Sequence, residues 1–286
     1  MRILTALVLA GLIALPTFSQ DAPPADPPKD PPPAEPPPEP PPDDPPVKPP
    51  TEEELRLRLV EATAKEKADT LKKRMEAAKT DQERASAIGE CVGGGGGVQH
   101  PLIAQAVIPY LNPRQIKAGL QYGDSTINAA LEVLKKQPFD ETYYGVKKMI
   151  DQNRTNLTYV QRLVTIYGET KCWKAIDELV DMVRDKRDGR VGLGKIAAEQ
   201  LGKIGHRDAI SPLISELEEQ DKAGPNDAKM KQRRADLNSA VIDALKKITG
   251  QDNKLGSQYR QWWIKNAETF QKEKKTPPPD DGSGGK

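Results

Sequence analysis

Few residues in this chain could do chemistry. Two histidines, His100 and His206, and two cysteines, Cys91 and Cys172, are the whole supply of imidazole and thiol in 286 residues. A closed zinc site takes about four such ligands at short spacings, and a thiol or hydroxyl nucleophile takes a histidine oriented by a third group. Cys91 and His100 stand nine residues apart across the run "VGGGGGVQH", and they are the one local pair that could share a metal. His206 sits beside Arg207 with no second His or Cys at ligand spacing. Four ligands cannot be assembled from these, and neither a Ser/His/Asp nor a Cys/His arrangement can be traced. The glycine run could cradle an anion, but it lacks the Lys-Ser/Thr ending of a phosphate loop and follows a helical pattern rather than a strand. It reads as a flexible loop. The 42 carboxylates intermingle with 43 Lys and Arg, which describes solvated helix faces rather than an acid/base pair. We therefore expect no catalytic residue, no metal and no cofactor. The remaining candidates are aromatic anchors: Tyr143 and Tyr144, followed by Lys147 and Lys148, then Trp173, and on the last helix Tyr259, Trp262, Trp263 and Phe270. Trp262 and Trp263 differ by about 100° around a helix, so one is expected to point away from the stripe the other occupies. The favoured reading is nevertheless that both close the core at the open end of the domain; an exposed Trp here would instead anchor a partner.

What must position these residues is bounded by the ends of the chain. Residues 1–20, "MRILTALVLAGLIALPTFSQ", have a positive start at Arg2, a short apolar core and small residues Thr17 and Ser19 before a plausible cut. They read as a signal peptide, which implies an exported chain, periplasmic or secreted, with no transmembrane segment once the signal is removed. Retention as an N-terminal anchor is the alternative. Residues 21–50 hold 17 prolines and a formal charge of −5, a composition that cannot bury a core and reads as a proline-rich, acidic, disordered linker. Residues 273–286 read as a disordered tail. With the linker and Arg2 set aside, residues 51–286 carry +5 (the whole-chain +1, less −5, less +1). That charge is dispersed, without the basic patches that mark a nucleic-acid partner.

Residues 51–272 form the one domain, and nearly all of it reads as helix. β-branched residues fall singly at helical spacing, and turn signals arrive every 10–17 residues, which excludes a sheet. Thr51 with Glu54 and Thr80 with Glu83 form capping boxes. Asp124, Asp140, Thr155, Thr170, Asp188 and Ser257 are further N-cap candidates. Residues 51–79 form a charged helix with Leu55, Leu59, Leu71 and Met75 as a thin apolar stripe, either capping the domain or pairing with a partner helix. After it the helix ends share a frame: "ASAIGE", "LEVLKK", "VTIYGE", "AEQLGK" and "IDALKK" align Gly89, Lys135, Gly168, Gly202 and Lys246, at periods of 46, 33, 34 and 44. Ala175-Ile176-x-x-Leu179 lies seven residues past Gly168, as Ala209-Ile210-x-x-Leu213 lies seven past Gly202. The extra length of the first and fourth periods falls at Gly93–Gly97 and at residues 221–234. In this frame Gly202 permits close backbone approach, Gly205 takes a left-handed C-cap, and Pro212 falls in a first turn. Cys91 and Cys172 lie two repeats apart, roughly 20 Å at about 10 Å per helix layer. That is beyond the ~7 Å that a disulfide spans, so two free, core-facing thiols are expected.

A period of 33–46 with two helices has the size of a HEAT-type hairpin. Ala198, Leu201, Gly202, Gly205, Ala209, Ile210 and Leu213 resemble the short HEAT-like repeat, and "ALKKITGQDNKLGSQYRQWWIKN" resembles the closing repeat of exported bacterial HEAT-repeat proteins. The resemblance covers roughly residues 81–268. It implies an all-α fold, a right-handed α-solenoid of about five HEAT-like hairpins behind an N-terminal capping helix. It also implies a non-enzymatic scaffold that binds a protein or peptide, with Tyr143, Tyr144, Lys147, Lys148, Trp173 and Trp262 as its partner-binding residues. Two alternatives stay open. One is a bilin-lyase-like subunit, since similar repeats occur in such lyases; the other is a spacer tethered to cell-wall material through residues 21–50.

Overall fold

In the computed structural model the described residues are 50–93, 97–113, 122–185, 187, 189–222 and 228–273. The expected signal, linker and tail lie outside them, as do Asp188, the middle of the glycine run and part of the segment 221–234. Among the described residues there are eleven α-helices and no strand. Helix α1 (Glu52–Ala77) starts on the first capping box, Glu54 N donating to Thr51 Oγ1 at 3.3 Å and Thr51 N to Glu54 Oε2 at 2.8 Å. The second box, Thr80 with Glu83, starts α2 (Asp81–Ile88) in the same way. This helix runs on through one π turn, Gly89–Gly93. His100 Nδ1 accepts from Leu102 N at 3.2 Å and opens α3 (Pro101–Val107), which tightens into a 3₁₀ turn, Ile108–Leu111.

Next come α4 (Asp124–Leu134), α5 (Asp140–Gln152) and α6 (Leu157–Glu169). A 3₁₀ turn, Trp173–Ala175, leads into α7 (Ile176–Arg184). After α8 (Val191–Ile204), the 3₁₀ turn Arg207–Ala209 leads into α9 (Ile210–Lys222), and α10 (Ala228–Thr249) and α11 (Gly256–Glu273) complete the set. The turn into α9 is capped as α3 is, His206 Nδ1 accepting from Asp208 N at 3.3 Å. The single-residue caps expected elsewhere are displaced. Asp124 and Asp140 stand one residue inside their helices, behind Gly123 and Phe139, where a carboxylate still favours the positive end of the helix dipole. Asn156, not Thr155, caps α6 by accepting from Tyr159 N at 3.2 Å. Thr170 ends α6 rather than starting a helix, and Ser257 lies within α11.

Contacts between helices follow sequence order along two series. Helix α2 touches α4, α4 touches α6, α6 touches α8 and α8 touches α10. In the other series α1 touches α3, α3 touches α5, α7 touches α9 and α9 touches α11, while α5 and α7 do not pack closely and meet through the Glu178 side chain. Buried apolar side chains from α1 to α11 make one core, with Tyr167, Tyr259, Leu71, Leu163 and Leu201 among the largest fully covered. Two glycines hold corresponding places in the first series. A Cβ on Gly168 of α6 would strike Gln200 Oε1 of α8, and one on Gly202 of α8 would lie 3.0 Å from the Ala244 Cα of α10. Gly205 ends α8 in the left-handed region, at φ 70°, its N–H donating to Leu201 O at 3.1 Å. Three residues past Gly168 the same conformation recurs at Lys171, φ 52°, with Cys172 N donating back to Tyr167 O at 2.9 Å. A side chain in that region costs roughly 1–2 kcal/mol, so the shared geometry outweighs the residue type. Gly89 does not join them. A Cβ there would have no neighbour within 4 Å, and the helix continues through it.

The apolar stripe expected on α1 does not exist as one line. From Leu59 to Leu71 is twelve residues, or 3⅓ turns at 3.6 residues per turn, which leaves the two about 120° apart. Leu71 and Met75, with Ala64, are buried against the domain, while Leu55 and Leu59 are 53% and 68% exposed. Leu57 and Val60 continue the buried face but are also exposed.

Candidate functional site

The expected partner-binding residues separate into three groups. Tyr143 and Lys147 sit one turn apart on α5 and are engaged inside the protein. The Tyr143 hydroxyl donates to Glu178 Oε1 of α7 at 3.0 Å, the Tyr167 hydroxyl of α6 donates to Glu178 Oε2 at 3.3 Å, and the Lys147 ammonium pairs with the same carboxylate. The two rings tilt against each other with centroids 5.8 Å apart. Burial pushes the Tyr143 and Tyr167 phenols up, and the Glu178 charge adds to this in both. The hydrogen bond to Glu178 raises Lys147. One carboxylate thus receives three donors and ties α5, α6 and α7 together, which is a structural arrangement.

The second group is open to solvent. Tyr144 is 60% exposed on α5 and Trp173 is 49% exposed at the start of the turn into α7. Lys174 lies between them, its Nζ 5.9 Å from each ring centroid. Its position is fixed by an ion pair with Asp140, the first residue of α5, and that hydrogen bond raises its pKa. Trp173 in turn stacks on His206, the cap of the turn into α9, with centroids 6.4 Å and planes 25° apart. Tyr144, Lys174, Trp173 and His206 therefore form a strip of flat faces and one cation, drawn from three consecutive helix pairs. Lys148 is exposed on α5. Next to Trp173 the Cys172 thiol is pushed up by burial, which keeps it a thiol rather than a nucleophile. Both Cys91 and Cys172 are free, and both pack on the core.

The third group is Trp262. It does not part from Trp263. Both rings are partly buried and stack 6.0 Å apart, and each meets Phe270 edge-on at 6.0 and 5.7 Å. The 100° between their Cα positions is closed by the reach of two long side chains onto one common neighbour, so the pair covers the core on α11.

Two members of the strip were not readable as such. Lys174 adjoins Trp173 in sequence, and its direction is set by Asp140, 34 residues earlier. His206, weighed in the sequence as a lone metal ligand, sits four residues past Gly202, as Cys172 does past Gly168. That frame position was the available signal. Among the described residues no group of three or more His, Cys, Asp or Glu could hold a metal ion, and no helix is long and apolar enough to cross a membrane. No protein-family model matches the chain, and no curated protein does.

Proposed function

We propose that this chain is a non-enzymatic binding scaffold: an exported, HEAT-like α-solenoid of five helix pairs behind α1, recognising an extended protein or peptide segment along the Tyr144–Lys174–Trp173–His206 strip. The two ordered series of helix contacts and the matched places of Gly168 and Gly202 support the solenoid reading. The right hand of the superhelix rests on the family resemblance. The single observation that carries the function is the strip. Exposed large aromatics are costly to leave in water, and Tyr and Trp are enriched among the residues that dominate binding interfaces. Here they come one per helix pair, so a partner lying across the pairs would meet them in turn.

The test uses the full chain and a partner captured by crosslinking in intact cells. Tyr144→Ala combined with Trp173→Ala should weaken saturable binding by about tenfold or more, roughly the 1.4 kcal/mol of one modest anchor, and leave the melting temperature nearly unchanged. Tyr143→Ala should instead lower the melting temperature, because it strips a donor from Glu178. Unchanged affinity in the double variant would remove the strip as the binding surface.

A further inference from the structure

A second site lies away from the strip. A cavity of about 500 Å³ opens between the second half of α1, α2, the end of α3 with its 3₁₀ turn, and Tyr122, two residues before α4. Its apolar lining includes Met75 and Ala106; its polar lining includes Arg84, Tyr110 and Tyr122. Arg84 is 4% exposed. Its Nη2 donates to the carbonyls of Ala78 and Lys79 at 3.2 and 3.3 Å, and among the described residues no carboxylate forms an ion pair with it, the neighbouring Glu83 acting on it only through its charge. A buried cation ordinarily has its charge met by an anion. The two tyrosine rings meet edge to face, centroids 5.4 Å apart and planes at 87°, and neither hydroxyl has a hydrogen-bond partner among the described residues. Burial pushes the Tyr110 phenol up to about 12, so it stays protonated and able to donate.

From this the geometry points to a binding site for a small amphipathic carboxylate. The free part of the Arg84 fork and the two phenol hydroxyls would donate to the carboxylate. Met75, Ala106 and the tyrosine faces would cover an apolar body. A planar carboxylate matches a guanidinium fork in a way that a neutral amide does not, and the cavity falls in the size range of small-molecule pockets. At the rim one lysine, Lys72, faces two carboxylates, Asp69 and Glu76, all three exposed, so selectivity for the anion falls to Arg84 and the two phenols.

The same chemistry could be offered by a free acid or by the C-terminus of a peptide. The full chain is titrated with 3-phenylpropionate, with its neutral isostere 3-phenylpropanamide, and with a short peptide ending in phenylalanine as the free acid. Binding is read by saturation-transfer NMR and by thermal shift. We expect saturable binding of at least one carboxylate, with the amide weaker by about tenfold or more. Whichever acid binds names the source. Tyr122→Phe, which deletes one hydroxyl from the cavity without touching the core, should weaken the acid several-fold at an unchanged melting temperature. Arg84→Met, which removes the charge and the donor fork, should abolish the preference for acid over amide even if it also lowers stability. Equal binding of acid and amide, no saturable binding of either acid up to about 10 mM, or indifference of the acid to both substitutions would overturn the proposal. None of these outcomes bears on the strip.

Discussion

The residue with the most consequence for the fold is one whose partners lie far along the chain. Asp81 opens α2, yet its carboxylate caps α4: Oδ1 accepts from Gly123 N at 2.8 Å and from the Thr126 hydroxyl at 2.5 Å, while Oδ2 accepts from Ser125 N at 2.9 Å and Thr126 N at 3.4 Å. A Cβ at the cap position itself, Gly123, would lie 2.6 Å from the carboxylate and would push it out of place. Burial acts to raise the Asp81 pKa, but the hydrogen bonds from Thr126, Gly123 and Ser125 outweigh it and hold the group below its ordinary 3.8. A lowered folded pKa means that the ionised form stabilises the fold. This contribution is complete above the unfolded pKa and is lost as pH falls through the folded one. Asp81→Ala should therefore cost about 1–3 kcal/mol near neutrality, the range for a helix cap whose removal leaves partly buried donors unmet. In urea unfolding the gap between the two proteins should narrow as pH is taken below 3.8. A gap that stays constant across that window would mean that charge is not what Asp81 contributes.

At the scale of the element, α1 divides at its middle. Its second half is part of the core through Ala64, Leu71 and Met75. Its first turns carry Leu55 and Leu59 on one side and Leu57 and Val60 on the other, all exposed. Leu71→Ala should destabilise by about 2–5 kcal/mol, whereas Leu59→Ala should stay within about 0.5 kcal/mol, both read as shifts of the denaturation midpoint. Comparable losses would show that the first turns are covered in the folded protein. The division also marks what the sequence could reveal. Both capping boxes were legible because each closes within three residues, and the Gly168–Gly202 frame was legible because a repeat writes the same contact twice. The caps at Asp124 and Asp140 were misjudged by one residue, since a single Asp satisfies either the cap position or the first turn. The Asp81 cap left no local trace at all, its partners being 42 to 45 residues away. The same holds for the candidate site. Tyr144 and Trp173 are legible in the sequence as candidate aromatic anchors, but the adjacent Tyr143 cannot be told from Tyr144 without Glu178, 35 residues on, which receives its hydroxyl.

For the whole molecule, the order of contacts predicts how stability is shared. Helix α8 touches α6, α7 and α10, and α1 touches α2 and α3, while α1 and α8 have no substantial contact. If each helix pair is stabilised mainly by its neighbours, as in repeat proteins, a local defect should loosen its own neighbourhood first and leave distant pairs nearly intact. Leu201, fully buried on α8, is the central probe, and Leu71 on α1 is the terminal one. Amide hydrogen exchange on Leu201→Ala should show protection falling by about tenfold or more across α6, α8 and α10, each tenfold being ~1.4 kcal/mol, with α1 and α3 little changed. Leu71→Ala should produce the converse, a loss confined to α1, α2 and α3. A uniform fall over all helices in both variants would mean a single all-or-none unit. In that case the nearest-neighbour view of this fold, and the solenoid reading that depends on it, would have to be given up.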